Sequence, residues 1–443
     1  MLRHRYIVIE ALADSNDLAR RMGVTGVYLF GVGAFLSFAA SNVAFGLLIL
    51  AVILDRHRSW PVLRCDPAFW LFIGFSLYLA FALTWVWPPE GRAADIEGSE
   101  RLLKLWYFLP LAYWLGGDLS RINRFLLCIA IGFLLGRIAA IDWNTPPALI
   151  SGERLRLGFS SINHFGLYAG TLFLGTMVYA RTVWHTTAER LLRIAWLLRV
   201  SWAVIALTAL YWVLASQSRG AIASLLITLV FASILMVSFR RRLPKLFLIA
   251  LVGVAVLLVV LIGEELATYR GSLESDRGSL DSAMLNAILS GDWSNIPYSS
   301  IGVRLHMLRV GLEWWLERPW FGYGPGAVES MFQGAVQELQ VYTHLHNTLV
   351  DNLVRLGGAG TLLLQSLYLY VAYALWRIYR AGGVPLSLGV FALGALLMAF
   401  LFGQTDYRMD GWDWRHYWVM IGSISYTLPL ACRVSRLEAV GCE

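Results

Sequence analysis

Twelve apolar runs punctuate the chain, at 24–39, 42–55, 67–87, 101–117, 122–141, 158–181, 197–215, 219–239, 244–263, 346–377, 384–405 and 413–431. A helix rises about 1.5 Å per residue, so roughly 20 such residues cross the hydrocarbon of a bilayer. In lipid every backbone amide must be paired within the protein, which leaves helices and closed barrels. These runs are too long for barrel strands. The pattern predicts an all-α polytopic membrane protein with about twelve transmembrane helices, the first two paired tightly around Ala40-Ser41-Asn42. Between runs nine and ten, Ile301, Leu305, Leu308, Leu312 and Trp315 recur at three- and four-residue spacing. That spacing predicts an amphipathic helix, capped by Ser299 or Ser300 and stopped by Pro319. The expected organisation is transmembrane helices one to nine over 1–263, a long loop with this helix over 264–345, and helices ten to twelve with a short tail over 346–443.

Composition agrees. Of 443 residues 58% are hydrophobic, more than a soluble chain of this length needs to fill its core. The net charge of +7 changes meaning once it is mapped. With the N-terminus inside, Arg56, Arg58 and Arg64, then Arg121 and Arg124, then Arg240 to Arg242, and finally Arg433 and Arg436 fall on one side. The opposite loops are acidic or balanced. This is the positive-inside asymmetry, so the basic residues serve orientation and no nucleic-acid partner is expected. Both termini are expected to be cytoplasmic. No small-residue cleavage site follows a short apolar stretch near the start, so no removed signal peptide is expected. Cys65, Cys128, Cys432 and Cys442 show no paired spacing, which predicts neither disulfide nor metal cluster.

Four polar clusters map to the expected outer face. Ser216-Gln-Ser218-Arg219-Gly220 opens run eight. A serine cap, free N–H groups and a guanidinium in the first turn make an anion site suited to phosphate. Ile301 to Gly326 carries Arg304 beside the apolar stripe, Arg309 further round, and a turn-rich connector from Arg318. Arg154 to Gly166 enters run six with Arg154, Arg156, Asn163 and His164. In His344-Leu-His346-Asn347, His346 and Asn347 are expected to open run ten, with Gly357 and Gly360 forming a packing seam below His346 on the same helix face. A neutral imidazole there can serve as a general base.

Taken in order, these clusters resemble the O-antigen ligase superfamily. The carriers are His346-Asn347, nine residues, then Gly357-Gly358-Ala359-Gly360; Ser216 to Gly220; Arg304 followed by Pro319-Trp-Phe-Gly322-Tyr-Gly324; and a looser Arg156, Gly158, Phe159 and Asn163, with Ile162 in place of the usual proline. The resemblance implies a GT-C-like fold in the bacterial inner membrane. It implies transfer of a glycan from undecaprenyl pyrophosphate to an acceptor on the periplasmic face, the acceptor being lipid A–core for ligases. It implies pyrophosphate contacts for Arg219 and Arg304 and the catalytic role for His346. Arg154, Arg156, Asn163, Ser218 and Asn347 are the candidate substrate-binding residues.

The chemistry fits. A lipid-linked diphosphate is already an activated leaving group, two arginines can stabilise the charge as the C–O bond breaks, and one base with direct attack predicts inversion. No Asp-x-Asp occurs in the outer loops; the nearest acidic cluster is Asp406, Asp410 and Asp413. With arginines in place of a cation, no metal or other cofactor is expected. The partners expected are the lipid-linked donor, the lipid acceptor and membrane lipids. A transporter would instead place ionisable groups near the bilayer midplane; Arg137 is the main such residue, towards the outer end of run five. A polymerase or a protein O-oligosaccharyltransferase of the same superfamily is the alternative. The single long outer loop and the lack of a large C-terminal soluble domain favour a ligase.

Overall fold

The computed structural model describes residues 16–143, 153–188, 192–238, 290–291, 293, 296, 300–407, 409 and 411–440. The ninth apolar run lies outside the described residues. The described chain is helical. Helix α1 (Asp17–Gly33) starts at Asn16, whose side chain accepts from the Leu18 amide. It packs against α2 (Phe38–Leu54), with Gly26 pressed on Leu48. The turn between them falls at 34–37 and not at Ala40 to Asn42, which sit inside α2; Ser37 is the extended residue that ends the turn. Helix α3 (Arg56–Arg64) bends away from α2 by 94°. Helix α4 (Pro67–Phe81) begins on an Asp66 cap and a first-turn proline, and runs into a π-helical turn at Ala82–Val86.

The fourth run is not one span. It divides into α5 (Arg92–Leu103), a 3-10 turn at Lys104–Tyr107 and α6 (Phe108–Leu115), which Gly116 ends in the left-handed region. Helices α7 (Leu119–Ile138), α8 (Ile162–Ala188), α9 (Leu192–Ser216) and α10 (Arg219–Ser238) follow the expected runs closely. Then come α11 (Ser300–Glu317), α12 (Ala327–Gln333), α13 (Thr348–Arg380), α14 (Leu386–Gly403) and α15 (Trp412–Val440).

Among the described residues six helices are long and apolar enough to cross a membrane, seven if α2 and α3 count as one bent span. The protein is a polytopic membrane protein. Helix α15 runs through the interior: between Trp414 and Ala431 nearly every side chain is buried, including the polar Ser423, Ser425 and Thr427. Its interior polarity lowers its hydropathy without exposing it.

Helix α13 corrects the expected tenth span. Its 33 residues would reach about 50 Å unbroken, well beyond a hydrocarbon core of about 30 Å. The helix breaks at Gly357, whose φ of 61° and ψ of −174° only glycine adopts readily. The break admits the connector after α11. Gly358 N–H donates to Pro319 O at 2.7 Å and Ala359 N–H to Trp320 O at 3.1 Å; in return Tyr323 and Gly324 donate to Val354 O and Arg355 O, both at 2.9 Å. A Cβ on Gly357 would sit 2.3 Å from the Trp320 carbonyl carbon. The glycines therefore receive a loop rather than line a seam beneath His346. The ring of Tyr78 on α4 closes over Gly360 and stacks on Phe321.

Above this break sits a second, smaller core: Val303, Met307, Val328, Phe332, Leu339, Leu345, Val350 and Val354. It joins α11, α12 and the first turns of α13. The buried face of α11 is thus Val303, His306 and Met307, while Leu312 of the expected stripe is exposed. The stripe read from the sequence is partly the outward face.

Candidate active site

Among the described residues three that are not glycine take a positive φ: Leu157 at 41°, Gln217 at 49° and His346 at 51°. Each costs on the order of 1–2 kcal/mol for a residue with a Cβ. All three lie in the connectors that lead into α8, α10 and α13, and those connectors meet at one end of the bundle. Such strain persists only where surrounding contacts fix it, and it concentrates at functional sites.

The contacts are visible. Arg137 on α7 donates to Leu157 O and to Phe35 O, and lies 4.6 Å over the Phe159 ring. The polar group near the outer end of run five therefore braces a loop. Ser218 caps α10 and Ser216 Oγ accepts from the Ser218 amide, as the serine-rich motif predicted. Gly166 fits against Ser216 and Gly220 against Thr405, each too close for a Cβ without movement. Asn347, not His346, caps α13, accepting from the Leu349 and Val350 amides. His346 consequently stands outside the helix. Asp351 takes the Leu345 amide at 2.8 Å and pairs with Arg355, which also donates to Thr343 O and Pro325 O.

Asn163 sits at the junction. Its Nδ2 donates to Asp406 Oδ2 at 3.1 Å, and its Oδ1 accepts from Ser218 Oγ at 2.9 Å and Arg154 Nη2 at 3.5 Å. The other oxygen of Asp406 faces two histidines: His344 Nε2 and His346 Nδ1 each lie 3.4 Å from Oδ1. The two rings have centroids 4.2 Å apart. Burial works against a charged Asp406, yet the imidazoles of His344 and His346, with the nearby His164, hold its carboxyl well below the ordinary carboxylate range. His344 faces protein oxygens at both ring nitrogens, its Nδ1 meeting Thr343 Oγ1 at 3.2 Å and its Nε2 approaching Asp406. His346 turns only Nδ1 to the carboxylate, leaving Nε2 on the far side of the ring. His344 shares the carboxylate with His346, because neither residue is helical.

The arginines gather on the other side of Asn163. Arg154 donates to Ser216 O and Gln217 O. Its pKa is lowered, by burial first and then by the positive charges of Arg219 and Arg304. Arg154 thus feels two guanidiniums from two other segments, an arrangement that an anion relieves. Arg309 points elsewhere, paired with Glu313 at 2.7 Å. Arg156 is exposed, and its carbonyl accepts from Phe159 in the same turn. Below the junction His164 Nδ1 lies 2.9 Å from Asp413, which also accepts from Ser160. This second histidine–carboxylate pair is buried in the bundle.

Sequence reading named the arginines, Asn163, Ser218 and His346. It passed over Asp406 as a partner, although the acid cluster that contains it was noted. The arrangement suits an anion, with an imidazole beside it. Residues 203–365 match the Wzy_C family model, described as O-antigen ligase. No curated protein matches the chain. The matched segment contains Ser218, Arg219, Arg304, His346, Asn347 and the Gly357 break; Arg154, Arg156, Asn163 and Asp406 reach the site from outside it.

Proposed function

We propose that the protein is an O-antigen ligase: a GT-C-like glycosyltransferase of the bacterial inner membrane that moves a glycan from undecaprenyl pyrophosphate to lipid A–core on the periplasmic face. The observation that carries this reading is the convergence of Arg154, Arg219 and Arg304 beside the His346–Asp406 pair. Arg219 and Arg304 hold the diphosphate, with Arg154 as the third cation. Arg156, Asn163, Asn347 and Ser218 shape the surrounding surface for the substrates.

Asp406 stays ionised and orients His346 from its Nδ1–H side, which leaves the Nε2 lone pair to take the proton of the acceptor hydroxyl. That oxygen attacks the sugar carbon from the face opposite the phosphate. The carbon–oxygen bond to the diphosphate breaks, and the arginines stabilise the released charge. Direct displacement inverts the sugar carbon and asks nothing of a metal.

Deleting the gene and running lipopolysaccharide on a gel tests the reading. A ligase predicts loss of the ladder with lipid-linked glycan retained. Core capped by a single repeat would mean a polymerase instead. An unchanged ladder would end the proposal.

A further inference from the structure

We propose that His344, His346 and Asp406 form a three-ligand site for a tetrahedral divalent metal ion such as Zn²⁺, and that an ion bound there stops glycan transfer. The second half rests on the reading of His346 as the base; the first half does not.

The geometry points to it in two ways. Zinc holds nitrogen and oxygen ligands at about 2.0–2.2 Å, so at the tetrahedral angle they lie about 3.3–3.6 Å apart. Asp406 Oδ1 is 3.4 Å from His344 Nε2 and 3.4 Å from His346 Nδ1. All three atoms fall within 4.8 Å of one another, so the two nitrogens have at most about 1.5 Å to close. Independently, both of those nitrogens are buried, and beyond the 3.4 Å approach to one carboxylate oxygen neither has a hydrogen-bond partner. His344 itself is only 8% exposed. A buried nitrogen without a good hydrogen bond is costly, and two converging on one oxygen can give their lone pairs to a cation in place of a proton.

The surroundings suit a metal's needs beyond its first ligands. Asp406 Oδ2 is fixed by Asn163, and the Tyr407 amide donates to Oδ1 at 2.9 Å. Thr343 Oγ1 meets His344 Nδ1, which sets that ring's tautomer. The arginine cluster opposes a cation, so the site binds reversibly rather than permanently.

Occupation silences the base by tautomer as well as by charge. A metal on His346 Nδ1 takes that lone pair and places the ring proton on Nε2. That nitrogen is the one that must accept the acceptor's proton. An ion there is an inhibitor, in keeping with a reaction that uses none.

The test uses the full-length protein purified in detergent and stripped with chelator. Co²⁺ added without substrate should give the visible absorption band of a tetrahedral complex, saturating at one equivalent and displaced by Zn²⁺. His344→Gln and Asp406→Asn should each weaken the binding by at least about tenfold. Thermal melting checks that each variant is folded, and the two substitutions stand in for one another if either is not. Zn²⁺ should inhibit transfer by wild type, and chelator should restore it. No band, or a band unchanged in both variants, overturns the site. Full transfer with the site saturated by Zn²⁺, or transfer lost on chelation, overturns the inhibition. Failure of the ligase reading is separate, because the Co²⁺ band needs no turnover.

Discussion

At the scale of single residues, the division between holding phosphate and moving a proton can be measured. His346→Ala should lower turnover by roughly 10²–10⁴-fold while donor binding survives, since the arginines hold the diphosphate. Normal turnover, or a defect confined to donor binding, would leave the base unidentified. Arg219→Ala and Arg304→Ala should each cost roughly 10²–10³-fold, and lysine should rescue only part, because it lacks the guanidinium fork. Arg309→Ala should be mild, its side chain being engaged with Glu313. Reversed effects at 304 and 309 would mean that α11 presents its other face. These side chains were legible because arginine in the first turn of a helix opposes the dipole and asks for an explanation. Asp406 was not legible as their partner. Sixty positions separate it from His346, no periodicity links the two, and only the approach of the α14–α15 connector to the start of α13 joins them.

At the scale of elements, runs five, eight and eleven were read to within three residues of α7, α10 and α14, whereas run one lies six to seven residues past α1 and run twelve stops nine short of the end of α15. The failures came where the chain departs from a plain span. Run four carries enough polar and small residues to break into pieces, and α13 breaks where a loop needs room. Gly357→Ala should destabilise the protein by about 3 kcal/mol or more, through a φ that alanine resists and a clash with the Trp320 backbone. Gly358→Ala should be close to neutral: its nearest neighbour, Pro319 O, stands at 3.2 Å, and alanine is the better helix former. Equal melting temperatures for the two variants would remove the break from the account.

At the scale of the molecule, charge asymmetry supplies an orientation that can be tested directly. In a cysteine-free background, Ser330→Cys should react with an impermeant maleimide in intact cells and Arg56→Cys only after lysis; both positions are exposed in the fold. Labelling of the second site in intact cells would invert the bundle and move the proposed site to the cytoplasm. The broken α13 carries a different consequence. Four main-chain amides, those of Tyr323, Gly324, Gly358 and Ala359, bind the connector to the helix, although Trp320 beside them is 71% exposed. Solvent access and backbone protection are thus separated within a few residues. In deuterated buffer this stretch should exchange its amide protons as slowly as a buried helix, an island of protection inside what looks from outside like an open loop.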